Sequence, residues 1–121
     1  MDAAFREELR RAWAERVRRA KREEGARRRQ AIARAEAAAR FLKEKYGVEK
    51  VYLFGSLVWG KRFTSCSDID LMVEGLRQPD RYWRMQVELE ELTAPFEVNV
   101  VLAEDALPSL REKVRKEGRL L

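Results

Sequence analysis

Val51-Tyr52-Leu53-Phe54-Gly55-Ser56, followed across a short connection by Ser67-Asp68-Ile69-Asp70-Leu71-Met72-Val73, is the stretch that decides the fold. The first piece is an apolar run that ends in a Gly-Ser turn, and the second alternates. In a strand every second side chain shares a face. Asp68 and Asp70 therefore point one way, and Ile69, Leu71 and Val73 the other. Two carboxylates a few Å apart repel unless something positive lies between them. A divalent cation such as Mg²⁺, which prefers hard oxygen ligands, suits that place. A Gly-Ser turn offers backbone N–H groups and a hydroxyl to a phosphate. Paired carboxylates beside a phosphate cradle point to nucleotide chemistry.

Outward from this centre the periodicity sets the remaining elements. Residues 3 to about 46 read as helix, being rich in Ala, Arg, Glu and Lys with one glycine and no proline. Phe5, Leu9, Ala12, Trp13 and Val17 fall on one arc; Ile32, Ala35, Ala39, Leu42 and Tyr46 form a second. Gly25 separates the two arcs and is the expected break, at which the helix folds back or beyond which it projects. A projecting first half leaves Phe5 and Trp13 in need of a docking partner or a second copy. Strands are expected at 51–54, 69–74 and 96–102, with a loop or short helix at 56–66. Pro79-Asp80 opens a helix that presents Tyr82, Met85, Leu89 and Leu92. Tyr82, Trp83 and Met85 read as core and rim rather than as a base-stacking box. Pro108 starts a last helix with Leu110 and Val114, stopped by Gly118. This order predicts an α/β (α+β) domain around a small mixed sheet flanked by helices. The expected division is a basic amphipathic helical extension over 1–30 and a domain over 31–121.

Composition excludes several chemistries. With no histidine among the 121 residues, Ser-His-Asp and Cys-His catalysis and histidine-bound zinc are ruled out. The single cysteine, Cys66, has no partner for an internal disulfide and reads as a small loop residue. No run is long enough to span a membrane and the start is charged, so a cytoplasmic protein is expected. The first fifty residues carry 16 Lys and Arg against 9 Asp and Glu, and the rest carry 10 against 12. The basic excess thus lies in the first helix, but interleaved glutamates dilute it, and no nucleic-acid partner is expected.

Leu53-Phe54-Gly55-Ser56 followed by Ser67-Asp68-Ile69-Asp70-Leu71 resembles the minimal nucleotidyltransferase (MNT) domains of the DNA polymerase beta-like nucleotidyltransferase superfamily. The likeness covers about residues 35–121. It implies a nucleotidyltransferase fold and Mg²⁺-dependent transfer of a nucleoside monophosphate from a nucleoside triphosphate such as ATP to a hydroxyl acceptor. Under that likeness Asp68 and Asp70 hold the metal, and Gly55 and Ser56 hold phosphates. Ser67 belongs to the same nucleotide-binding set. The family's third carboxylate lies on the later strand in an apolar-Asp-apolar pattern, whereas this chain reads Val98-Asn99-Val100. Asn99 has the right parity to complete the site with Asp68 and Asp70, but an amide brings neither charge nor basicity. Glu97 shares that face about 6.5 Å along the strand and replaces Asn99 only if the strand is shifted.

Arginines that follow Gly-Ser in many relatives are here Leu57 and Trp59, so Lys61 and Arg62 are expected to neutralise phosphate instead. The connection from Ser56 to Asp68 has eleven intervening residues, one more than typical minimal members. MNT proteins are often paired with small helical HEPN proteins in toxin–antitoxin systems. The alternative reading is therefore a catalytically impaired binding module that joins such a partner, or itself, through Phe5, Leu9, Trp13 and Val17.

Overall fold

The computed structural model describes residues 2–60 and 62–121. Helix α1 runs unbroken over Ala3–Tyr46, about 65 Å of helix at 1.5 Å per residue. Asp2 caps its start by accepting the Phe5 N–H at 2.7 Å. Gly47, at φ 63°, ends it in the left-handed conformation that glycine adopts most easily and donates to the Leu42 carbonyl. The expected break at Gly25 does not occur. A glycine costs a helix about 1 kcal/mol relative to alanine, too little to stop a run of strong helix formers.

Strands β1 (Lys50–Phe54), β2 (Ile69–Glu74), β3 (Val98–Leu102) and β4 (Arg119–Leu120) form one sheet in the order β3-β2-β1-β4. β1 lies antiparallel to β2 and β4, and β2 parallel to β3, so the sheet is mixed as expected. β4 escaped the sequence reading because two residues carry no alternation; its pairing with Tyr52 and Leu53 makes it a strand. Helix α2 (Ser56–Trp59) is a single turn, α3 spans Tyr82–Thr93 and α4 spans Pro108–Glu117.

One face of the sheet, with Val51, Leu53, Ile69, Leu71, Val73, Val98 and Val100, is covered by α1 and α3. On α1 the contact is made by Leu42 and by Ala31, Ala35 and Ala38, whose small side chains let the helix lie close. Each fully buried large apolar side chain, such as Phe63 or Leu71, contributes about 1.5–3 kcal/mol. The other face carries Tyr52 and Met72 against Val114 of α4. Met85 and Leu89 of α3 are buried and Tyr82 is half-buried, but Trp83 is 76% exposed. Trp83 sits two positions before Met85, which on a helix is close to the opposite face, and that geometry overrides its size. No described helix is long and apolar enough to cross a membrane.

The second half of α1 is fastened to the domain by side chains as well as by packing. Lys45 and Tyr46 both donate to Glu88 of α3, Lys43 reaches the Leu121 carbonyl at 2.8 Å, and Arg119 meets Glu36 at 3.3 Å. Before Ala31 no residue of α1 is buried. Phe5, Leu9, Trp13 and Val17 lie exposed along that first part.

Candidate functional site

β1 ends where β2 and β3 begin, so three chain segments meet at one end of the sheet. The register pairs Asp70 with Phe54 on one side and with Asn99 on the other. Gly55 follows Phe54 directly, and Asp68 precedes β2 by one residue. This arrangement brings Asp68, Asp70, Asn99 and the Gly55-Ser56 turn together. The strand keeps its register, so Asn99 and not Glu97 stands opposite Asp70, and the Glu97 carbonyl accepts the Ile69 N–H at 2.9 Å just outside β3.

The Asn99 Nδ2 donates to Asp68 Oδ2 and to Asp70 Oδ1, each at 3.2 Å. Two carboxylate oxygens thus converge on a single point, and the amide NH₂ supplies partial positive charge there. Asp70 is half-buried, and its carboxyl is raised above the usual range. Burial is the main cause, opposed by the Asn99 bond and reinforced by the charge of Asp68. The donor set fits a hard divalent cation: two carboxylate oxygens on one point, joined by Asn99 Oδ1 after a half-turn of its amide. No cluster of three or more His, Cys, Asp or Glu side chains suited to a metal exists among the described residues.

Gly55 has φ 76°, and a Cβ built on it would lie 2.1 Å from Asp70 Oδ2. Only glycine permits both this conformation and this approach. The Gly55 carbonyl accepts from the Val58 and Trp59 N–H groups at 3.0 and 2.8 Å, which starts α2 at Ser56. The first N–H groups of α2 have no helical carbonyl behind them. Ser67 accepts the Thr64 N–H at 3.1 Å through Oγ and closes the tight turn that delivers Asp68. A hollow of about 360 Å³ lies beside Ser67, Asp68, Phe96 and Glu97, and a second of about 510 Å³ beside Gln86, Glu97 and Asn99.

Arg62 is exposed and pairs with Glu24 of α1 at 3.5 Å; Lys61 lies outside the described residues. Two α1 residues that the sequence reading passed over touch the connection between the turn and Asp68. Arg28 donates to the Leu57 and Gly60 carbonyls at 3.1 and 3.5 Å, and Glu24 accepts the Phe63 N–H at 2.8 Å. In sequence they belong to a charged run that reads as solvated helix face, and no spacing rule marks them out.

Residues 36–121 match the family described as Polymerase beta, Nucleotidyltransferase. A solved structure assigned to the minimal nucleotidyltransferases is similar at 34% identity and a TM-score of 0.60. The alignment covers 74% of this chain and 91% of that one. No curated protein matches the chain significantly.

Proposed function

The chain belongs to the polymerase beta nucleotidyltransferase family, with an MNT-type domain, and on that premise we propose that it binds a nucleoside triphosphate with Mg²⁺ and transfers the nucleoside monophosphate to a hydroxyl acceptor. The observation that carries this reading is the meeting of Asp68, Asp70 and Asn99 on one point next to Gly55-Ser56. Asp68 and Asp70 would hold the cation, with Asn99 Oδ1 as a neutral third donor. The cation, when bound, neutralises charge that develops on the attacking and leaving oxygens.

The chain's own groups do the rest. Gly55 lets the backbone come close to Asp70, and the Ser56 hydroxyl with the leading N–H groups of α2 orients phosphates. Ser67 sets the turn before Asp68, and Lys61 and Arg62 supply positive charge to the phosphates, Arg62 by leaving Glu24. Transfer breaks the α–β phosphoanhydride bond and releases pyrophosphate, and because Asn99 takes no proton, a hydroxyl acceptor meets no base at that position. The expected activity is accordingly weaker than that of a three-carboxylate site, with nucleotide binding retained.

The test combines calorimetry, using Mg²⁺ and a nonhydrolysable nucleoside triphosphate, with label transfer from nucleoside triphosphates in cell extract. Binding with slow transfer supports the proposal. Binding without transfer, where Asn99→Asp restores transfer, makes the native chain a binding module. No binding of nucleotide by wild type or by Asn99→Asp overturns the reading.

A second reading rests on a separate observation. Phe5, Leu9, Trp13 and Val17 are 50%, 49%, 67% and 38% exposed on the free part of α1, an apolar stripe at helical spacing. A groove on a small helical protein of the HEPN type, or a second copy of this chain, would cover it. Pull-down from native cells and light scattering of the purified chain separate these partners, and a monomer that captures nothing overturns this reading.

A further inference from the structure

We infer that Arg28 and Glu24 are positioning residues for the phosphate turn, supplied by a part of α1 that lies before the 36–121 family segment. The inference rests on the nucleotide-binding reading of Gly55-Ser56 given above. α2 is four residues long and has no side-chain cap at its start. So short a helix has almost no stability of its own, and its place must come from its ends. At the leading end, Gly55 is pressed against Asp70. At the trailing end, the carbonyls of Leu57 and Gly60 receive the two arms of the Arg28 guanidinium at 3.1 and 3.5 Å. A planar fork of donors suits two neighbouring carbonyls better than a lysine ammonium does.

One turn earlier on α1, Glu24 Oε1 takes the Phe63 N–H at 2.8 Å while Oε2 meets Arg62. Phe63 itself is wholly buried, with its ring 5.9 Å from that of Phe96. Residues four apart on one helix face therefore hold three backbone points of the segment that follows Gly55-Ser56. A cavity of about 600 Å³, bordered by Lys21, Glu24, Arg28 and Arg62, opens beside the contacts. Truncation at either position thus enlarges existing open space and leaves the core intact.

The experiment compares full-length wild type with Arg28→Met, Arg28→Lys and Glu24→Ala. Three quantities are read: amide hydrogen exchange, melting temperature, and affinity for a nonhydrolysable nucleoside triphosphate with Mg²⁺. Arg28→Met is expected to speed exchange at Val58, Trp59 and Gly60, and Glu24→Ala at Phe63, each about tenfold or more, with β-sheet amides and melting temperature unmoved. Nucleotide affinity falls about tenfold in Arg28→Met, because the turn must be ordered on binding, and Arg28→Lys recovers part of it; Glu24→Ala also releases Arg62 and is therefore read by exchange at Phe63 alone. Unchanged exchange in the 57–63 segment overturns the inference. So does faster exchange in Arg28→Met with wild-type affinity, or a uniform loss of stability in either variant. If wild type binds no nucleotide, the preceding functional reading fails, and the exchange data alone decide whether α1 holds the turn.

Discussion

A methyl group placed on Gly55 would lie 2.1 Å from the Oδ2 of Asp70. Gly55→Ala must therefore move the turn or the carboxylate. The positive φ of 76° with ψ −145° adds about 1–3 kcal/mol of strain for any residue with a Cβ. The variant is expected to melt lower than wild type and to lose Mg²⁺-dependent nucleotide binding, measured by thermal denaturation and calorimetry. Wild-type affinity in a folded Gly55→Ala would separate the turn from the site.

Asn99→Asp exchanges two hydrogen bonds for a third negative charge beside Asp68 and Asp70. Without divalent cation the variant should be less stable than wild type by about 1–3 kcal/mol. With Mg²⁺ present it should gain more stability than wild type does, because a ligand bound only by the native state raises stability with affinity. Melting curves across a Mg²⁺ series check both halves. Equal Mg²⁺ responses in the two proteins would exclude a metal role for position 99.

Asp70 carries a raised carboxyl pKa, through burial first and the charge of Asp68 second. The native state then holds a proton at pH values where the unfolded chain has already lost it. Stability of the metal-free protein consequently falls as pH rises from the ordinary carboxylate range through the raised value. Asp70→Asn removes this slope. In chelator it should melt above wild type at neutral pH, while Mg²⁺ no longer shifts its melting point.

Glu88 shows the opposite sign. Hydrogen bonds from Lys45 and then Tyr46 lower its carboxyl, so its contribution is present above the ordinary glutamate range and lost as pH falls through the lowered value. Glu88→Gln should loosen the junction between the end of α1 and α3 at neutral pH. Its deficit relative to wild type should vanish in acid, as followed by melting temperature against pH.

Trp13→Glu alters an exposed side chain on the free part of α1, so the stability of the domain should stay within about 0.5 kcal/mol of wild type. Any self-association or captured partner should be lost, as read by light scattering and pull-down. Retention of the complex would place the contact elsewhere on the molecule.

The strands at 51–54 and 69–74, the turn at Gly55-Ser56 and the shared face of Asp68 and Asp70 were legible in the chain because each depends on neighbours a few positions away. Alternation and helical spacing report such local relations directly. The parity of Asn99 belonged to the same class of information. That Asp70 lies opposite Asn99 rather than Glu97 waited on the parallel pairing of β2 and β3. The union of Gly55 with Asp70 waited on the antiparallel pairing of β1 and β2. Only packing revealed that α1 passes straight through Gly25, that Arg28 and Glu24 reach residues 57, 60 and 63, and that Trp83 faces solvent. The Arg28 and Glu24 contacts join residues 29 to 39 positions apart along the chain, and no local pattern encodes a distance that the folded core alone brings to hydrogen-bond length.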